Sequence, residues 1–123
     1  MNKIKKIYYA HPISLYNTPQ EERDLEFLKF LWPDTEVYNP NSEFDYERYK
    51  EYGMEWFFER IGDCDLVVFR PFPDGKIGAG VWDEIMFADV NCCIPIMEIP
   101  ILLESRKLSV DDTREYLKHA GAR

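Results

Sequence analysis

The stretch that most restricts the fold is an apolar run, a glycine turn and a helical pattern in succession. Leu66-Val67-Val68-Phe69 is short and apolar. A turn-rich loop, Pro71-Phe72-Pro73-Asp74-Gly75, follows, then Gly78-Ala79-Gly80 and a helix-period segment from Val81 to about Asn91. Strand, glycine turn and helix make half of an α/β unit. In such units ligands bind beyond the carboxyl ends of the strands, where these glycines fall. At about 100° per residue, Val81, Ile85, Ala88 and Cys92 form an apolar stripe with Glu84 at its edge, in what reads as the first helical turn. A carboxylate there points toward the sheet and any cleft above it. A first-turn acid also complements the helix dipole, and spacing alone leaves both roles open.

The same alternation runs through the chain. Ile4 to Ala10 reads as a buried first strand, broken by Pro12. Thr18 caps a helix with Pro19 at its first position and Glu21 three residues after the cap. Leu25, Leu28 and Trp32 supply its apolar face, and Pro33 ends it. Thr35 to Tyr38 is a second strand. A second helix is expected from Tyr46 to Ile61, interrupted at Gly53. The third strand is Asp65 to Phe69 and the fourth Ile94 to Ile99, with a short fifth strand or edge extension at Ile101 to Leu103. Ser109 caps a last helix through Lys118, with Gly121 beyond its end. Right-handed crossovers turn this order into an open, mainly parallel, flavodoxin-like α/β sheet with helices on both faces.

Length fits a single domain spanning residues 1–123. With 46% hydrophobic and 31% charged residues the chain is globular in composition. A net charge of −8 leaves no basic patch for duplex nucleic acid and no polybasic membrane anchor. Met1 to Ile7 is charged with no long apolar run behind it, so it does not read as a signal peptide. Three cysteines without a CxxC spacing argue against zinc and for reduced thiols, hence a cytoplasmic setting.

Three loops meet at the carboxyl end of such a sheet. They offer Tyr8, His11, Ser14, Tyr16, Asn39, Asn41, Asp74, Asp83 and Glu84. The set holds carboxylates, phenols and one histidine, but no Ser-His-acid order. It suits glycosyl transfer, where a carboxylate attacks or stabilises an oxocarbenium-like sugar carbon. Gly78-Ala79-Gly80 does not complete a dinucleotide fingerprint, and no P-loop is present. Each candidate also has an ordinary role: Tyr8 as core, His11 as a hydrogen-bonded loop residue, Ser14 as a cap, and Asp83 as a solvated acid.

Four segments, in order, resemble one family. Ile7-Tyr8-Tyr9-Ala10-His11-Pro12 is similar to the opening "IYLAGP" strand of the nucleoside 2-deoxyribosyltransferase superfamily. Asp63-Cys64-Asp65-Leu66-Val67-Val68-Phe69 resembles its "aDlvva" strand, and Gly80-Val81-Trp82-Asp83-Glu84-Ile85 its "GTxxEI" signature. Ala88 with Pro95-Ile96 resembles the "A…PV" that follows. The superfamily includes nucleotide N-glycosidases. The resemblance implies a flavodoxin-like fold, Glu84 as nucleophile and Tyr8 beside it. His11, Ser14, Gly78, Gly80 and Asp83 are expected toward the substrate, no metal or organic cofactor is implied, and the resemblance implies a homo-oligomer. The surplus rings of the second helix, Tyr49, Trp56, Phe57 and Phe58, are expected at a subunit contact.

The chain departs from the family pattern at three places. His11 replaces a glycine, Gly78 replaces an Asp or Ser, and Phe57, flanked by Glu55 and Glu59, replaces a helical aspartate. The expected function is cleavage or transfer at the N-glycosidic bond of a nucleoside or nucleotide. The alternative is a non-catalytic nucleotide-binding domain on the same fold. The base, the sugar, the presence of a phosphate and the choice of hydrolysis or transfer stay open.

Overall fold

A computed structural model of the chain describes residues 4–99 and 108–121. Its sheet has four parallel strands: β1 (Lys6–Ala10), β2 (Glu36–Tyr38), β3 (Leu66–Phe69) and β4 (Ile96–Glu98). Their order is β2-β1-β3-β4, with Tyr8 opposite Tyr38 on one side and Val67 on the other. Among the described residues five α-helices accompany them: α1 (Pro19–Leu31), α2 (Glu43–Tyr52), α3 (Glu55–Gly62), α4 (Ala79–Met86) and α5 (Val110–His119). Phe87–Asn91 extend α4 in a wider π turn. This is the open flavodoxin-like arrangement the alternation implies. The fifth strand expected at Ile101 to Leu103 lies outside the described residues. No helix among the described residues is long and apolar enough to cross a membrane.

Side-chain alternation builds two cores from one sheet. Ile7, Tyr9, Leu66 and Val68 face α1 and pack on Leu28, Leu25 and Trp32. Tyr8, Ala10 and Val67 face the other way, onto Ile61 of α3 and Val81, Ile85 and Ala88 of α4. Both faces of β1 and β3 are thus covered, which is why these strands read as unbroken apolar runs. Thr18 accepts a hydrogen bond from the Glu21 amide and caps α1, as its sequence implies.

The helix boundaries differ from expectation in two instructive ways. The helix expected from Tyr46 to Ile61 is two helices. Gly53 sits at φ 68°, ψ −154°, a region that side chains exclude, and the chain turns there. The turn lets the Trp56 indole donate to Asp45 at 3.0 Å, while Asp45 also accepts from the Tyr38 hydroxyl and from Ser42 Oγ at 2.6 Å. That carboxylate ties β2, α2 and α3 together. The second difference is the start of α4. It begins at Ala79, so Glu84 lies in the second turn, and the first turn holds no acid. The dipole role for Glu84 loses its basis, because that effect fades beyond the first turn.

A buried charge pair anchors α1. Asp24 receives two hydrogen bonds from Arg70, at 2.6 and 2.8 Å, and one from the Tyr9 hydroxyl at 2.6 Å. Both charged residues are nearly inaccessible. Removing one partner strands the other charge away from water, at about 3–5 kcal/mol. Arg70→Ala is therefore expected to lower unfolding free energy by about that much in urea titrations. A loss below about 1 kcal/mol would show that Asp24 does not depend on the pair.

Candidate active site

A cleft of about 650 Å³ opens above the carboxyl ends of β1, β2 and β3. The chain has few ways to build its floor. β1 carries Tyr8 on the α4 face, and α4 carries Glu84 on the face that packs against the sheet. The Tyr8 hydroxyl donates to Glu84 Oε2 across 76 residues of sequence. Tyr8 is wholly buried beneath the cleft, and Glu84, 8% exposed, forms part of its lining.

Gly80 borders the approach to that carboxyl. Residues four apart share a helix face, so Gly80 lies one turn before Glu84 on the same side. A Cβ built at Gly80 would meet nothing within 4 Å, and Gly80 lines the cleft. The missing side chain leaves the approach to Glu84 open. Gly78 serves differently. A Cβ there would come within 3.1 Å of the Phe72 ring, which packs against it in the cleft wall.

Burial sets the electrostatics. Removal from water pushes the Glu84 carboxyl up to about 7, with neighbouring Asp83 adding to the rise and the Tyr8 hydrogen bond opposing it. The Tyr8 phenol is raised well above its ordinary value, by burial first and then by Glu84. Tyr8 therefore stays protonated and acts as a hydrogen-bond donor. Glu84 is left to titrate in the physiological range.

His11 lines the cleft but is held fast. Its Nδ1 lies 3.1 Å from the Tyr9 carbonyl oxygen and its Nε2 lies 2.7 Å from Glu21 Oε2. Its ring stacks on Tyr9 at 3.8 Å. Burial lowers the imidazole pKa, against the pull of Glu21 and the Tyr9 carbonyl. Glu21 also accepts from the Asn17 amide at 3.1 Å and from Asn41 Nδ2 at 3.0 Å. It thereby joins the loops after β1 and β2 at the start of α1. Burial alone would raise the Glu21 carboxyl, but the hydrogen bonds from His11, Asn17 and Asn41 hold it below the usual range.

Of the residues expected in the site, the structure brings His11, Ser14, Gly78, Gly80 and Glu84 to the cleft, with Tyr8 directly behind Glu84. Asp83 does not join them: it is exposed and lines no part of the cleft, because α4 turns it away from the sheet. The organising role of Glu21 was hidden behind its position as third residue after a helix cap. The surplus rings of the second helix, read in the sequence as a subunit contact, contribute in part to the cleft wall. Tyr49 and Phe57 line the cleft, Phe58 stacks on Phe87 at 4.5 Å, and Trp56 donates to Asp45. Those four rings have partners within the chain. Among the described residues no cluster of His, Cys, Asp or Glu is arranged to hold a metal ion.

No protein-family model matches the chain, and no curated protein matches its sequence.

The raised Glu84 pKa carries a stability signature. The folded protein keeps the Glu84 proton up to about pH 7, while an ordinary carboxyl releases it near 4.5. Between those values the folded state binds more protons, so stability falls as pH rises and stays reduced above pH 7. Glu84→Gln keeps an acceptor for Tyr8 and carries no charge. Its Tm is expected to exceed that of the unmodified protein above about pH 7, with the gap closing below about pH 4.5. A pH-independent gap in scanning calorimetry would contradict this.

Proposed function

We propose that the protein cleaves or transfers the N-glycosidic bond of a nucleoside or nucleotide, with Glu84 as nucleophile. The observation that carries the reading is a single carboxyl, buried on the cleft floor, held by Tyr8 and approached through the gap at Gly80. The ordered resemblance to the nucleoside 2-deoxyribosyltransferase superfamily supports it, and so does a cleft above the switch point between β1 and β3, whose outgoing connections run to opposite sides of the sheet.

In this mechanism an oxygen of ionised Glu84 bonds to the anomeric carbon. The C–N bond breaks, and its electron pair leaves with the base nitrogen. Water or a second base then attacks the same carbon and returns the Glu84 carboxylate. When water attacks, its proton is released and the sugar keeps the hydroxyl. Tyr8 fixes which carboxylate oxygen faces the sugar by occupying the other. The second reading is a non-catalytic binding domain for nucleotides. Phe57 favours it, because an apolar ring lines the cleft where the family carries an acid.

Base release from a panel of nucleosides and nucleotides separates the two readings. Glu84→Ala is expected to lower release by several orders of magnitude and keep the fold, each factor of ten being about 1.4 kcal/mol of barrier. Tyr8→Phe is expected to cost less, since it removes only an orienting hydrogen bond. The acid limb of kcat/KM should show a midpoint near 7, where Glu84 ionises in the free protein. Near-normal turnover by Glu84→Ala would remove Glu84 from the chemistry. Binding in the cleft with no turnover of any substrate would favour the binding domain.

A further inference from the structure

The walls of the cleft are as informative as its floor. Five aromatic rings line it: Tyr16, Tyr46, Tyr49, Phe57 and Phe72. Two carboxyl groups line it as well, Glu84 buried on the floor and Glu43 exposed at the rim in the first turn of α2. No lysine or arginine is among its described lining residues. The nearby Arg70 guanidinium is committed to Asp24 on the other face of the sheet. The whole chain carries −8, so its field draws in cations and repels anions. Ring faces with carboxylates and no opposing cation form an environment for a flat positive charge, which the negative faces of the rings attract.

Among the described residues the buried proton carriers at the cleft are already engaged or hold their protons tightly. Both His11 nitrogens are engaged, by the Tyr9 carbonyl and by Glu21. Phe57 has no proton to give. The Tyr8 hydroxyl is turned to Glu84, and burial raises the Tyr16 phenol well above its ordinary value. A neutral nucleobase is a poor leaving group unless it gains a proton as the C–N bond breaks. A base that already carries a positive charge on its glycosidic ring leaves as a neutral molecule and needs no acid.

We propose that the cleft selects cationic N-glycosides, nucleosides whose base is a pyridinium or N-alkylated purinium ring, over their uncharged counterparts. This rests on the glycosidase reading of the same site. The step is balanced without a general acid. The Glu84 carboxylate forms the bond to the anomeric carbon, the C–N electron pair neutralises the departing ring, and water then supplies the hydroxyl and releases one proton.

The test uses nicotinamide riboside and its 1,4-dihydro form, which share a skeleton and differ in ring charge. Calorimetric titration of the unmodified protein is expected to show the cation binding at least tenfold tighter. Glu43→Gln is expected to narrow that gap several-fold. Base release, nicotinamide from the cation or dihydronicotinamide from the dihydro form, is expected from the cationic riboside alone. Equal or tighter binding of the dihydro form would overturn the selection for charge, as would a gap indifferent to Glu43→Gln. The two ideas fail separately. Release of base from uncharged nucleosides with no preference for the cation would overturn the charge selection and leave the glycosidase reading standing. Preferential cation binding with no base release from any nucleoside would uphold the selection and overturn the glycosidase reading.

Discussion

The site depends on one hydrogen bond, from the Tyr8 hydroxyl to the Glu84 carboxyl. It joins the interior strand β1 to the helix that follows β3. It also satisfies two polar groups that the parallel sheet would otherwise bury alone, at a cost of about 1–3 kcal/mol for each unpartnered group. The carboxyl is consequently both dry and fixed. Dryness raises its proton affinity, and the bond through Oε2 holds the carboxyl in the cleft lining. Gly80 completes the arrangement by leaving open the space one turn before Glu84.

The remaining polar groups buried near the sheet's carboxyl end act as a frame for this bond. Asp24, Arg70 and Tyr9 hold α1 to β1 and β3 on the opposite face. Glu21 gathers His11, Asn17 and Asn41 at the cleft's rim. Asp45 does the same for Tyr38, Ser42 and Trp56 under α2 and α3. Among the described residues no buried side-chain polar atom lacks a partner. Such networks rigidify when complete and destabilise when one member is lost. The loops that carry the cleft walls are therefore set by carboxylates that do not themselves line the cleft.

Much of this was legible in the residues. Doubly buried strands declare themselves as apolar runs, so β1 and β3 and the parallel sheet followed from Ile7 to Ala10 and Leu66 to Phe69. The stripe of Val81, Ile85 and Ala88 placed Glu84 toward the sheet, and the structure puts it there. Helix ends were less legible. Gly53 breaks the second helix because its backbone turns to a positive φ, whereas a glycine in a helical pattern is equally compatible with a weakened but continuous helix. Ala79 opens α4 two residues earlier than its apolar period suggests, because the first turn packs nothing at Gly80. The roles of Glu21 and Asp45 were not legible at all. In sequence Glu21 looks like a first-turn helix acid and Asp45 lies just ahead of the expected second helix, and only long-range contacts show that both are buried acceptors. Asp83, adjacent to Glu84 in sequence, is separated from the cleft by the helical rotation of one residue.

The central claim is that burial against Tyr8 gives Glu84 an unusual carboxyl. The most direct measurement is an NMR titration of the Glu84 side-chain carboxyl carbon in the unmodified protein, assigned by loss of the signal in Glu84→Gln. This account predicts a midpoint near pH 7. A midpoint near the ordinary 4.5 would contradict it, since the carboxyl would then be solvated and the cleft floor would not be the dry, tyrosine-held site described above.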